Sequence, residues 1–200
     1  MKKEEFNRYP RHWVTSDIHF SHINILKYNN ERLTGSGSVD EMNERIVENW
    51  NSVVSPDDHI FILGDVAMGK IILAPPLIKR LNGDKTLIAG NHDRTLRRLE
   101  GIHDLFLSIR DYRCMTAYGV GIVMSHFPMA SWEGMGNGAV HLHGHLHGNA
   151  VQIIDADKKR IKDVGMDTNN LFPYDLKTLV EEIKKKPMPI FDHHNRKKES

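Results

Sequence analysis

Along the first half of the chain, short apolar runs alternate with amphipathic stretches, and each apolar run stops at a small cluster of polar residues. Trp13-Val14-Thr15 reads as a strand that gives way to Ser16-Asp17-Ile18-His19. Ser38-Val39-Asp40-Glu41 has the Ser-x-x-Glu spacing of a capping box and opens a helix carrying Met42, Ile46, Trp50 and Val53 on one face. His59 to Leu63 is a continuous apolar run, hence a buried strand, closed by Gly64-Asp65. A helix is expected over 77–81, with Pro76 at its start and Gly83 after its end. Lys85 to Ala89 forms a third strand ending in Gly90-Asn91-His92-Asp93, and a helix over 94–99 stops at Gly101.

The second half is richer in strands. Val120 to Met124 leads into Ser125-His126, and a glycine-rich loop over 131–138 carries Trp132. The stretch Ala139-Val140-His141-Leu142-His143-Gly144-His145-Leu146-His147-Gly148 follows. Its four histidines alternate with small or apolar residues, so an unbroken strand would aim all four at one face. Val151 to Ile154 and Arg160 to Val164 suggest a hairpin. Leu176, Leu179, Val180 and Ile183 mark an amphipathic helix closed by Pro187. Alternation of strands and helices followed by a mostly β half predicts an α/β fold with mixed sheets. One domain is expected over 1–191, with a polar tail over 192–200.

Composition narrows the function classes. The 200 residues, 40% of them hydrophobic, suffice for one core, and a formal net charge of +1 gives no strong signature for nucleic acid or an acidic membrane. One cysteine, Cys114, excludes a disulfide framework and suits a reducing compartment. The charged start of the chain and the lack of long apolar runs give no secretory or membrane signal, so a cytoplasmic protein is expected. Gly64 to Ile71 nearly matches a phosphate-binding loop, but Ile71 replaces the hydroxyl residue that would hold magnesium, and Pro75-Pro76 follow. A nucleotide triphosphatase is therefore a minor alternative.

The chemistry lies in the conjunction of five strand ends: Asp-x-His, Gly-Asp, Gly-Asn-His-Asp, Ser-His and Gly-His-x-His. Oxygen and imidazole ligands converging on one edge can hold two divalent metals, which together clamp the attacking and leaving oxygens of an in-line displacement. In this order the motifs resemble those of the calcineurin-like metallophosphoesterase superfamily, nearest its small cap-less bacterial and phage members. The resemblance runs from about Val14 to Gly148. Met42-Asn43-Glu44, Val164-Gly165-Met166-Asp167 and Phe172-Pro173 extend it.

That resemblance implies a four-layer α/β/β/α sandwich of two mixed sheets flanked by helices. It implies Asp17, His19, Asp65 and His147 on one metal and Asp65, Asn91, His126 and His145 on the other. It implies His92 as general acid, oriented by Asp93, in the hydrolysis of a phosphodiester or phosphomonoester by a hydroxide between the metals. The metals it implies are manganese in the first place, with iron, nickel and zinc as alternatives. Near relatives often carry an aromatic residue where His143 stands and an asparagine where Asp163 stands. His22 and Arg94 are candidates to meet a small, nucleotide-like phosphoester, whereas Lys27, Arg32 and Trp132 read better as surface or packing residues. A silent metal-binding scaffold is the other alternative, although every ligand position is filled. Of the four histidines, His145 and His147 are expected to coordinate and His141 and His143 to lie too far back, because Gly144 lets the chain turn out of the strand.

Overall fold

The computed structural model describes residues 6–29, 32–33, 37–149 and 156–187. Among the described residues nine strands form two mixed sheets. In chain order they are β1 (His12–Thr15), β2 (His59–Ile62), β3 (Asp84–Ile88), β4 (Ser108–Arg110), β5 (Arg113–Ala117), β6 (Val120–Met124), β7 (Val140–His143), β8 (Ile161–Asp163) and β9 (Tyr174–Asp175). The first sheet has the order β4-β3-β2-β1-β9, parallel except for β9, and the second the order β5-β6-β7-β8, parallel except for β5. The helices are α1 (Ile25–Tyr28), α2 (Val39–Val53), α3 (Ala74–Arg80), α4 (Asp93–Leu96) and α5 (Leu176–Ile183).

Strand parity sorts the core into layers. Trp13, Ile60, Ile62 and Leu87 point from the first sheet onto Met42, Ile46 and Trp50 of α2 and Ile78 of α3. The intervening Val14, Phe61, Leu63 and Ile88 face the second sheet through Ile122, Met124, Val140 and Leu142, with α5 sealing this layer through Leu176, Leu179, Val180 and Ile183. Val123 and Ile161 face outward beneath Trp132, Met135 and Ala139 of the glycine-rich loop. The two mixed sheets flanked by helices are the architecture expected from the sequence.

Local chemistry explains where elements begin. Ser38 Oγ accepts the Glu41 amide at 3.1 Å and the Glu41 carboxylate reaches back to the Ser38 and Gly37 amides, closing the expected capping box of α2. α3 starts at Ala74, three residues earlier than expected, because Pro75 and Pro76 fall in its first turn, where proline's missing N–H has no helical partner to lose. α4 ends at Leu96, short of the expected Leu99, and the chain continues in turns. β4, β5 and β9 escaped the periodicity reading. All three are edge strands, and an edge strand that buries only alternate or scattered residues carries little apolar signal. The four-residue α1 was also missed. Val151 to Ile154, the first arm of the expected hairpin, and the tail over 192–200 lie outside the described residues. Among the described residues no helix is long and apolar enough to cross a membrane.

Three histidines are spent on packing. His12 and His59 sit opposite each other in the β1–β2 register, with Phe6 stacked on His12 at 3.5 Å and Thr86 Oγ1 2.9 Å from His59 Nε2. His141 lies against Trp132 on the outer face of the second sheet, its Nε2 accepting the Met129 amide at 3.1 Å. Burial holds His12, His59 and His141 down, to about 4, 3 and 4, from the ordinary 6.5. At these three rings the folded state therefore binds fewer protons than the unfolded state below pH 6.5, so their contribution to stability rises with pH across that window and is lost on acidification. The metal-free protein should show a falling urea midpoint as soon as pH drops below about 6.5, before ordinary carboxylates titrate near 4. The His141→Gln variant should show a shallower fall between pH 6.5 and 4.

Candidate metal centre

The polar residues that follow β1, β2, β3, β6 and β7 gather at one edge of the two sheets. Pairing continues past the strand ends: the amides of Asp17, His19 and Phe20 donate to the carbonyls of Gly64, Asp65 and Val66, each at 3.0 Å. The Met166 amide donates to the Ser16 carbonyl at 2.9 Å, which fastens the second sheet's loops to the first. Asp17, His19, Asp65, His145 and His147 all have left-handed backbone, with φ between 48° and 72°. Asp-x-His and His-x-His thus share one local geometry, a left-handed residue on each side of a single intervening one. In the first motif that intervening residue, Ile18, is driven wholly into the core. Aspartate and histidine tolerate this region better than most residues, yet each such position still costs of order 1 kcal/mol.

Two ligand clusters result. Asp17, His19 and His147 each offer an atom within 4.8 Å of the others, and so do Asp65, His126 and His145. His19 Nε2 lies 3.8 Å from Asp17 Oδ1 and 4.0 Å from Asp65 Oδ2, and His126 Nε2 lies 3.4 Å from the same Asp65 oxygen. Asp65 therefore stands between the clusters. Asn91 Oδ1 is 2.9 Å from His126 Nε2 and completes the second. Ligand atoms each about 2.1 Å from one ion stand about 3.0–3.4 Å apart, so these separations suit shared coordination with small adjustment.

The donor set asks for cations. Asp17 Oδ1 and both ring nitrogens of His19 are buried without a hydrogen-bond partner. His126 Nδ1 donates to the Leu63 carbonyl at 2.7 Å, which leaves a lone pair on Nε2 facing the lone pairs of Asn91 Oδ1. Two acceptors opposed at hydrogen-bond distance repel unless something positive lies beside both. Imidazole, carboxylate and amide oxygen suit a divalent first-row metal. Desolvation also perturbs the metal-free groups. It raises Asp17 to about 6, against the pull of His147 and His126, and lowers His19 to about 2 and His145 below its ordinary value.

Glycine makes room for this crowding. A Cβ on Gly144 would overlap Ser16 Oγ and the Asp17 carboxylate, and one on Gly90 would strike Asp65 Oδ1. Gly144 itself is where the chain leaves β7, and beyond it His145 and His147 turn to the clusters, whereas His141 and His143 stay in the strand. His143 Nδ1 lies 2.7 Å from the Gly144 carbonyl.

Asp93 does something other than orient the His92 ring. Its carboxylate accepts the amides of Asp65, Val66 and Gly90 at 2.9, 2.9 and 2.7 Å, which braces the loops of β2 and β3 against each other. Burial raises its pKa, opposed by those amides. His92 is fixed through its own backbone, whose amide donates to Asp65 Oδ1 at 2.9 Å, and its Nε2 lies 3.9 Å from Asp65 Oδ2.

A cavity of about 430 Å³ opens over the clusters, lined by His19, His22, Asp65, His92, His145 and His147 and walled by Ile25, Tyr28 and Met68. His22 stands in it as expected, but Arg94 does not; that side chain is exposed on α4. A cavity of about 440 Å³ lies between Phe6, Tyr9, His12 and Tyr118, and none of the ligand clusters found among the described residues reaches it. The sequence pattern also missed Asp167, which meets His147, and placed Arg32 only as packing. The phosphate-loop alternative loses its amide cradle, since the Asp65 and Val66 amides that would face a phosphate already donate to Asp93, and the Asp65 carboxylate lies in a ligand cluster.

No family model matches the chain. It is 31% identical over 178 residues to the uncharacterized protein MJ1445 of Methanocaldococcus jannaschii, across 86% of this chain and 91% of that protein. It is 28% identical over 182 residues to the Gene 66 protein of Mycobacterium phage L5, across 78% of this chain and 86% of that one. Among solved structures, the protein of unknown function AQ665 from Aquifex aeolicus matches with a TM-score of 0.67 at 23% identity, over 86% of this chain and 98% of that one, which shows a shared fold. The chain belongs to one family with MJ1445.

Two outcomes test the centre. Mn²⁺ should raise the melting temperature of chelator-treated protein, since a ligand that binds only the folded state stabilises it by mass action. Metal analysis should find ions lost from His145→Ala and His147→Ala and retained in His141→Gln. Equal melting with and without Mn²⁺, or metal loss from His141→Gln, would contradict the geometry. Separately, Gly144→Ala should fold less stably and lose metal, because the added methyl occupies the space of the Asp17 carboxylate.

Proposed function

We propose that the protein is a metal-dependent phosphoesterase hydrolysing a phosphodiester or phosphomonoester of a small, nucleotide-like molecule. One observation carries this reading: two ligand clusters adjoin through Asp65, a member of the second that lies 4.0 Å from His19 of the first, on the floor of a cavity into which a further imidazole, His92, projects without belonging to either cluster. Asp17, His19, Asp65 and His147 would hold one ion, and Asp65, Asn91, His126 and His145 the other. Bound there, two divalent ions would supply a water acidic enough to attack at neutral pH and positive charge for the phosphoryl oxygens.

The remaining work falls to the chain's own groups. His92 occupies the N-cap position of α4 and its ring, 38% exposed, opens into the cavity over the clusters. From Nε2 it donates a proton to the leaving oxygen as the ester bond breaks. The hydrogen bond from the His92 amide to Asp65 and the three amides that donate to Asp93 keep this ring in step with the clusters. The apolar wall of Ile25, Tyr28 and Met68 receives the organic part of the ester, and His22, Asn29 and Asn149 offer it polar contacts. A volume of about 430 Å³ suits a mononucleotide-sized molecule.

With Mn²⁺ present, the protein should hydrolyse a chromogenic phosphodiester such as bis(p-nitrophenyl) phosphate and lose that activity to a chelator. His92→Ala should keep both metals and slow turnover of an alkyl-ester substrate by about 10²–10⁴-fold, roughly 3–5 kcal/mol of barrier. The defect should shrink for nitrophenyl leaving groups, which need no proton. Metal loss from His92→Ala would make the residue a ligand, and full metal loading without hydrolysis of any ester would favour a silent scaffold.

A further inference from the structure

Arg32 and Asp167, neither of which touches the cavity, are joined directly beneath the first cluster. Arg32 is completely buried. Its Nε meets Asp167 Oδ1 at 2.5 Å, and its Nη2 meets Asp167 Oδ2 at 3.1 Å and the Asp17 carbonyl at 2.6 Å. Its Nη1 donates to the Ile18 carbonyl at 2.8 Å. Asp167 Oδ2 in turn lies 2.6 Å from His147 Nδ1. The guanidinium thus holds the backbone of the Asp-x-His turn with one side and a carboxylate with the other, and that carboxylate holds a histidine from the second sheet.

We propose that Asp167, fixed by Arg32, is the positioning residue that prepares His147 to bind a divalent cation with Asp17 and His19; this rests on the metal-binding reading of the clusters. A carboxylate held by an arginine can only accept, so the His147 ring donates from Nδ1 and keeps its lone pair on Nε2, aimed at the cluster. The bond fixes the ring's rotation as well as its tautomer, which matters because His147 is the most exposed of the three ligands in its cluster and follows a left-handed turn with no strand to hold it. A carboxylate partner also makes the imidazole a stronger electron donor than a neutral one does. The second cluster differs here: His126 Nδ1 is held by a backbone carbonyl, that of Leu63. The two sites are therefore built unequally, and loss of Asp167 falls on one of them.

Binding of Mn²⁺ to the metal-free full-length protein, followed by calorimetry without any substrate, tests this apart from catalysis. Asp167→Asn should weaken one of two sites by about 10–100-fold and leave the other at its wild-type affinity. Arg32→Met/Asp167→Asn, which removes the buried charge along with its partner, should do the same and guards against a single variant that fails to fold. In a His147→Ala background, Asp167→Asn should change neither site further. In ¹⁵N-histidine spectra of the wild type loaded with Zn²⁺, His147 should carry its proton on Nδ1. Wild-type affinity at both sites, an equal loss at both, or a wild-type His147 protonated on Nε2 would overturn the proposal.

Discussion

Two carboxylates, Asp17 and Asp65, are buried side by side among imidazoles at the junction of two sheets, and the rest of the molecule is arranged to tolerate that. Both are almost wholly shielded from water, as is His19 between them. Burial alone favours neutral forms, which is why metal-free Asp17 is pushed up and His19 down. Among the described residues neither acid has an ion pair with a lysine or arginine: Arg32 reaches Asp17 through the backbone carbonyl and not through the carboxylate. The protein's own counter-charge is thus placed one step away, where it shapes the turn and leaves the carboxylate oxygens facing each other's cluster. A site so built is poor at holding itself together and well suited to holding something doubly charged.

Strain is the second half of the same constraint. Regular strands send side chains alternately up and down, and no register of two parallel sheets brings five strand ends to one point. The chain solves this by leaving the strand conformation at the ligands themselves, through left-handed turns at Asp17, His19, Asp65, His145 and His147. Hydrogen bonds then hold each turn in place: Asp93 across the amides of Asp65, Val66 and Gly90, and Asp17 Oδ2 on the His145 amide at 2.9 Å. Asp163 accepts the amides of Gly148 and Gly165. Carboxylates outside the clusters are therefore as much part of the centre as the ligands.

Much of this was legible in the sequence because ligand chemistry has few spellings. Asp-x-His, Gly-Asp, Gly-Asn-His and His-x-His each pair a glycine or a tight spacing with donor atoms, and their succession at strand ends fixed the first sheet's central strands and β6 and β7. What stayed hidden has physical causes. Edge strands such as β4 and β9 bury too little to show a period. Arg32 follows the short helix α1 with no hydrophobic pattern to anchor it, and its partner Asp167 lies 135 residues away in the chain. The resemblance pairs Asp93 with the His92 ring, whereas its carboxylate accepts three backbone amides, which leave no trace in composition.

The four histidines of the β7 stretch show where pattern reading stops and why. Parity assigns His141, His143, His145 and His147 to one face. It holds for the first two, which stay on the outer face of the second sheet: His141 bonds the Met129 amide, and the His143 ring lies 5.6 Å from it. It fails for the last two because parity is a property of extended backbone, and the residues after Gly144 are not extended. Glycine there is required less for its own flexibility than for the absence of a side chain: Ser16 Oγ and the Asp17 carboxylate occupy the space a Cβ would fill. The second sheet can approach the first only at a residue without a Cβ, and that approach delivers His145 to one cluster and His147 to the other. The same contact that closes the sandwich therefore builds the site, so the fold cannot be tightened at this point without displacing a ligand.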